Sequence, residues 1–180
     1  MNDMFEYCVI DSHKQLEKLL VKSNLCKVYY NCFHIEIYHF EDPDSDEICN
    51  TLTEYYLTGV LIVCINGEND IVGFAAAQPL SSAEKCVQTL AKEHCFDLDS
   101  DWYHAELGVA DQYKRKGIGR NLVNMLLKLI PANRILMRTQ ENNIPSITLH
   151  RSLGFEIVEG MSYFHSSPDD RRIFLSLVRN

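Results

Sequence analysis

The chain has 180 residues, 46% apolar and 23% charged, and a formal net charge of -8; this suits one ordinary globular domain spanning the whole chain, which can bury a full core without disulfide or metal help. The acidic balance disfavours nonspecific nucleic-acid binding, which needs a dispersed basic face, and seven widely spaced cysteines with no Cys-x-x-Cys pair argue for reduced thiols, not a disulfide frame or zinc site. The first residues carry no basic leader and the longest apolar run, Val60 to Ile65, is far too short to span a bilayer, so the expectation is a soluble, cytoplasmic protein with no membrane partner.

Phe5 to Ile10 reads as a first strand, and Ser12-His-Lys-Gln15 is a capping-box pattern ahead of Leu16, Leu19 and Leu20 at helical spacing. Leu25 to Phe40 is rich in Tyr, Phe, Ile and Cys without clear periodicity and stays undecided between a helix and a helix plus loop. An acidic run, Glu41 to Glu47, reads as a solvated loop, with Ser45 a candidate cap for a helix bearing Ile48, Leu52 and Tyr55 or Tyr56 on one face. Val60 to Ile65 and Ile71 to Gln78 flank Asn66-Gly67-Glu68-Asn69-Asp70 as an antiparallel hairpin. Ser81 to Glu84 offers a second capping box before a stripe of Ala83, Val87, Leu90 and Ala91, and a polar loop follows from Asp97 to Asp101.

Trp102 to Val109 reads as a strand and Ile118, Leu122, Leu126 and Leu129 as the apolar face of a helix that Pro131 ends. Arg134 to Thr139 is another strand, and Pro145 and Gly154 bracket a short helix from about Ile144 to Leu153. Phe155 to Phe164 and Arg172 to Val178 close the chain as two strands. This order describes a mixed α/β (α+β) fold.

Between Val109 and the helix after it, four cations (Lys114, Arg115, Lys116, Arg120) bracket Gly117 and Gly119. At a helix start the backbone N-H groups lack intrahelical partners and the macrodipole is positive, so such a loop can hold a phosphate largely by main chain. Glycine permits the close approach. A P-loop is disfavoured because no Gly-Lys-Ser or Gly-Lys-Thr occurs at the needed spacing, and a dinucleotide fingerprint fails because its third glycine would stand at position 122, which is Leu.

Lys114-Arg115-Lys116-Gly117-Ile118-Gly119 resembles motif A of the GNAT superfamily of acetyl-CoA-dependent N-acetyltransferases, with Lys114 in place of the usual Gln or Arg. Asn143 to Phe155 resembles motif B of the same superfamily, with Asn143, Leu149, Gly154 and Phe155 matching in place. The resemblance, which spans Phe5 to Val178, implies a central, mostly antiparallel sheet splayed to bind CoA and flanked by helices. It implies acetyl-CoA as co-substrate and no metal, with pantetheine along Leu107, Gly108 and Val109. The pyrophosphate would lie on Lys114, Arg115, Lys116, Gly117, Ile118, Gly119 and Arg120, and Asn143 beside the cofactor arm. Dimers are frequent in that superfamily, so a homodimer is compatible with it.

The implied chemistry is transfer of an acetyl group to a primary amine by direct attack in a ternary complex. The motif B tyrosine, often the acid that protonates departing CoA, is replaced here by His150, which either takes over that duty or is a packed helix histidine. An amine of pKa near 10.4 is neutral about once in 2,500 molecules at pH 7, so deprotonating it costs roughly 4.6 kcal/mol and a base is needed. Glu106 is the nearest carboxylate to the loop in sequence, with Tyr103 and His104 as other candidates; family carboxylates often stand at the position of Tyr103, and an offset of three reverses the strand face. The alternative for Glu106 is a plain strand carboxylate. A catalytically weak or inactive acyl-CoA-binding sensor or interaction module is the rival function, and transfer to an alcohol or of a longer acyl chain a third. The acidic composition leans toward a cationic acceptor, a small-molecule or peptide amine.

Overall fold

The computed structural model describes residues 4–33 and 45–179, and among them the apolar runs become seven strands and six α-helices. In chain order these are β1 (Phe5–Val9), α1 (His13–Lys22), α2 (Leu25–Phe33), α3 (Ser45–Thr58), β2 (Val60–Asn66), β3 (Ile71–Pro79), α4 (Lys85–Glu93), β4 (Trp102–Val109), α5 (Ile118–Leu129), β5 (Arg134–Gln140), α6 (Ile144–Arg151), β6 (Glu156–Phe164) and β7 (Arg171–Val178). The sheet is mixed and mostly antiparallel, in the order β1-β2-β3-β4-β5-β7-β6, with β4 and β5 as a parallel pair. This is the mixed α/β architecture expected. The chain divides into two compact units, residues 1–77 with 106–129 and residues 78–105 with 130–180.

In the first unit β1 and β2 pair antiparallel from Phe5↔Asn66 to Val9↔Ile62, and β2 and β3 from Val60↔Ala77 to Ile65↔Ile71. The hairpin closes on one side chain: Asn66 Oδ1 accepts from the N-H groups of Glu68 at 3.0 Å and Asp70 at 2.8 Å, a local substitute for backbone pairing that makes Asn a turn residue. Leu16, Leu25, Val28, Ile48 and Leu52 pack with Leu61, Val63, Phe74 and Ala76 into one core. Ser12 caps α1 by accepting from the Gln15 N-H, and Gln15 Oε1 accepts from the Asp11 N-H at 3.0 Å. Ser12 is thus the cap expected, but the return bond of the box goes to Asp11, the residue before the cap, and not to Ser12 itself.

The undecided stretch from Leu25 is helical through Phe33; its remainder and most of the acidic run lie outside the described residues. On α5 the buried face is Ile118, Leu122, Val123 and Leu126. Leu129, expected on that face, is exposed, and Ile130, just past the last helical residue, is buried.

In the second unit β5 pairs antiparallel with β7 from Arg134↔Val178 to Gln140↔Arg172, and β7 carries β6 at the edge. Leu80, Val87, Ala91, Phe96, Tyr103, Leu136, Met161 and Phe174 form its core. The capping box expected at Ser81 does not form. Leu80 to Ser82 makes a single 3-10 turn, and α4 starts at Lys85 behind Glu84, which makes no side-chain cap. The physical reason is competition: both Glu84 carboxylate oxygens accept from the Arg138 guanidinium, at 2.7 Å each, a bidentate charged pair stronger than a neutral cap. Burial raises the Glu84 carboxyl, and Arg138 more than offsets this, leaving it below the usual range.

Candidate active site

The loop after β4 is built by the hairpin and the first strand. Asp111 to Tyr113 makes a single 3-10 turn, the Asn66 amide donates to the Tyr113 hydroxyl at 2.9 Å, and Phe5 meets the Tyr113 ring edge-on at 6.0 Å. Beyond that anchor the backbone takes positive φ at Arg115 (63°) and again at Gly117 (83°), reversals of the kind that gather successive N-H groups into an anion-binding concavity. Lys114, Arg115, Lys116 and Arg120 are exposed. Lys114 pairs with Asp111 at 2.6 Å on the surface, a contact of small net worth that a stronger anion can displace, and the Lys116 ammonium sits 5.2 Å over the Tyr113 ring.

A Cβ built at Gly117 meets nothing within 4 Å. Glycine is needed there for its positive φ, and the space beside it is open. Gly119 lies in the first turn of α5, and the bond from the Asn121 N-H to the Gly117 carbonyl at 3.1 Å marks where the intrahelical ladder starts. Amides ahead of that point direct their N-H groups out of the helix end. The residues present thus fit a phosphate-bearing ligand: dense positive charge in an acidic chain, and unobstructed main chain at a helix start.

Upstream, β4 runs Leu107-Gly108-Val109 into this loop, tied to β3 by the Ala110 N-H donating to the Val72 carbonyl at 2.9 Å. Glu106 and Gly108 alternate onto one face. On that face Glu106 Oε1 accepts from two phenols, Tyr29 of α2 at 3.3 Å and Tyr55 of α3 at 3.1 Å. Gly108 faces the Phe74 ring and Cys32; a Cβ there would stand 2.3 Å from a Phe74 ring carbon. Burial pushes the Cys32 thiol up to about 12, with Lys114 pulling it down and Asp111 and Glu106 pushing it up. Buried Cys64 is pushed to about 11, burial again first, so neither is a ready thiolate nucleophile.

The rival bases lie in the second unit: Tyr103 and His104 are each 3% exposed, Tyr103 in the core and His104 with its ring 5.2 Å from that of His150. His150 is 1% exposed. Its Nδ1 lies 2.8 Å from the Ser146 carbonyl oxygen, which can only accept, so Nδ1 carries the proton and Nε2 is a bare acceptor. That Nε2 is buried and unpartnered. Burial holds the imidazole below its ordinary pKa, partly opposed by the Ser146 bond, so the neutral ring dominates at pH 7. Asn143 caps α6, its Oδ1 accepting from the Ser146 N-H at 3.2 Å.

The structure therefore brings Glu106 together with Tyr29 and Tyr55 in the first unit, and His150 with His104 in the second. Tyr29 and Tyr55 are functional candidates that the sequence does not single out: Tyr55 reads as one of two alternatives for a helix face, and Tyr29 falls in the stretch left undecided. Neither tyrosine has a local signal, because their common partner stands more than fifty residues further on. Among the described residues no cluster of three His, Cys, Asp or Glu could hold a metal ion.

Comparison with known proteins identifies the fold and the family. Solved structures similar to the chain include a protein of Acinetobacter baylyi ADP1 described as a proposed acetyltransferase (ACIAD1637), at TM-score 0.74 and 14% identity, covering 99% of this chain and 94% of that one. Another is a GNAT superfamily phosphinothricin acetyltransferase from Sinorhizobium meliloti in complex with AcCoA, at TM-score 0.69 and 16% identity, covering 99% and 90%. A third, an N-acetyltransferase from Staphylococcus aureus Mu50, reaches TM-score 0.69 at 15% identity, covering 96% and 98%. At these identities the likeness establishes the fold alone. No curated protein matches the sequence significantly. The model of the Acetyltransferase (GNAT) family matches residues 23–155, which takes in α2, α3, β4 with its cationic loop, and the Asn143–Phe155 segment, so the chain belongs to the acetyltransferase (GNAT) family.

Proposed function

We propose that the protein moves an acetyl group from acetyl-CoA to a primary amine by direct attack in a ternary complex. The observation that carries the reading is the loop Lys114 to Arg120, in which three cations and a positive-φ glycine precede an open helix start and a fourth cation stands in its first turn, in a chain of net charge -8. Acetyl-CoA, when bound, would supply an acetyl thioester: the amine attacks its carbonyl, a C-N bond replaces the C-S bond, and CoA departs as the thiolate. Main-chain N-H groups around Gly117, Ile118 and Gly119 hold the pyrophosphate, with Lys114, Arg115, Lys116 and Arg120 supplying positive charge. The backbone of Leu107, Gly108 and Val109 pairs with pantetheine, and Asn143 stands beside the cofactor arm. The acceptor is a small-molecule or peptide amine.

Glu106 receives the proton lost by the ammonium, directly or through water, offsetting a deprotonation that costs roughly 4.6 kcal/mol at pH 7 in bulk. His150 fits an acid role poorly while neutral, because Nδ1–H is committed to Ser146; a thiol of pKa near 8.5 leaves tolerably without one. Its part is that of a hydrogen-bond acceptor at Nε2.

The same neutral His150, standing where the superfamily's tyrosine acid is usual, favours the second reading, an acyl-CoA-binding sensor without turnover. Thiol release from acetyl-CoA across a panel of polyamines, aminoglycosides and peptides with free amines separates the two. The transferase reading expects amine-dependent release with acetylated product in equal amount. Saturable acetyl-CoA binding with no release from any amine would overturn it in favour of the sensor.

A further inference from the structure

We propose that Tyr29 and Tyr55 are positioning residues for Glu106: two phenols, delivered by different helices, clasp one carboxylate oxygen and fix the plane in which Glu106 meets the acceptor amine. The proposal rests on the reading of Glu106 as the base.

Glu106 and Gly108 lie on the same face of β4, two residues apart. Because position 108 has no Cβ, the fully buried Phe74 ring can lie against the strand there. Tyr29 stacks on that ring, with centroids 5.3 Å apart and planes 24° from parallel, and Phe33 closes on Tyr29 at 4.9 Å. The ring packing fixes where the Tyr29 hydroxyl ends, and it ends 3.3 Å from Glu106 Oε1. Tyr55 comes from α3 to the same oxygen, at 3.1 Å. A carboxylate oxygen offers two lone pairs, so two donors occupy Oε1 and stop the side chain from rotating freely. Both contacts lie on the long side for O–H···O bonds, as contacts at sites that tighten around a substrate often do in the ligand-free protein.

The phenols are neutral donors, so these two contacts orient the anion without themselves placing a positive charge beside it. Cys32 also faces this cluster and senses Glu106 and, from the loop, Lys114 and Asp111.

The test is a double-mutant cycle on turnover, using the amine that best supports thiol release, with acetyl-CoA and amine both saturating. Tyr29→Phe and Tyr55→Phe remove one hydroxyl each and keep the rings. Each should lower kcat about tenfold, the scale of a small misplacement of a reacting group, while KM for acetyl-CoA stays within about twofold. In a Glu106→Gln background the same tyrosine changes should cost nothing further, because they act only through the carboxylate. Phe variants that lower kcat equally in both backgrounds act through general structure, and that result overturns the proposal. So does wild-type kcat in both Phe variants when Glu106→Gln alone is slow, an outcome that leaves Glu106 as base intact. Wild-type kcat in Glu106→Gln removes the base reading itself and the clasp with it.

Discussion

Gly108→Ala adds a single methyl group where the structure has no room for one. The new Cβ would stand 2.3 Å and 2.6 Å from two carbons of the Phe74 ring and 3.0 Å from Cys32 Sγ, against the roughly 3.5–4.0 Å at which carbon atoms rest. The ring must retreat by about 1 Å, yet it is fully buried and wedged by Tyr29 and Phe33. Overpacking of this kind costs about 1–3 kcal/mol, and the rigid surroundings place Gly108→Ala at the upper end. For a chain of this size each kcal/mol lowers Tm by about 2–4 °C, so a drop of about 5–10 °C is expected by differential scanning calorimetry. Phe74→Leu should be destabilising alone, by about 1–2 kcal/mol for the lost ring volume, yet the Gly108→Ala/Phe74→Leu pair should be more stable than the sum of the two by at least about 0.5 kcal/mol, since the smaller side chain vacates the space the methyl needs. A Gly108→Ala protein melting within 1 °C of wild type, or strict additivity in the pair, would refute the packing on which the Glu106 clasp depends.

The burial of neutral His150 makes a second prediction. Its folded pKa is depressed, so its contribution to stability is full above the unfolded value near 6.5 and is lost as pH falls through the folded value, at no more than about 1.4 kcal/mol per pH unit. Urea midpoints taken from pH 7.5 down to 5 should fall less steeply in His150→Gln than in wild type; identical slopes would mean that the ring is not held neutral. The same variant should lose less than about tenfold in kcat, as expected of a leaving group that needs little acid help. Among the seven cysteines, exposed Cys86 and Cys95 should react first with a disulfide reagent at pH 8, while Cys32 and Cys64, raised by burial to about 12 and about 11, should wait for unfolding. Peptide mapping that finds Cys32 among the first to be modified would contradict its placement under Gly108.

Local signals made most of the fold legible. Strand β4 and helix α5 occur at the residues expected, because alternation and a 3.6-residue period act through near neighbours and Pro131 ends the helix on its own chemistry. The hairpin from Val60 was equally readable, since Asn66 organises its turn from within. Long-range competition defeated the reading elsewhere. Ser81 to Glu84 has the letters of a capping box, and only Arg138, more than fifty residues on, decides that Glu84 pairs outward. Leu129 fits the helical stripe by spacing, but Ile130 is the residue buried at the end of α5.

The site divides in the same way. The cationic loop was visible because glycines and charges lie within seven residues, and Gly117 then proved to hold a positive φ, as an indispensable glycine should. The environment of Glu106 was not visible, since Tyr29 and Tyr55 reach it from helices that sequence distance separates from β4. The tautomer of His150 was equally hidden, because the Ser146 carbonyl sets it through the geometry of α6.

Calorimetric titration of acetyl-CoA into the wild-type protein and into Gly119→Trp tests the cradle most directly. The indole would fill the approach to the α5 N-terminus, and a melting curve of the variant controls for folding. Saturable binding to the wild-type protein, weakened by added salt, is expected, with at least about a hundredfold weaker binding to a Gly119→Trp protein that melts normally. Unchanged acetyl-CoA affinity in that variant would contradict the cradle.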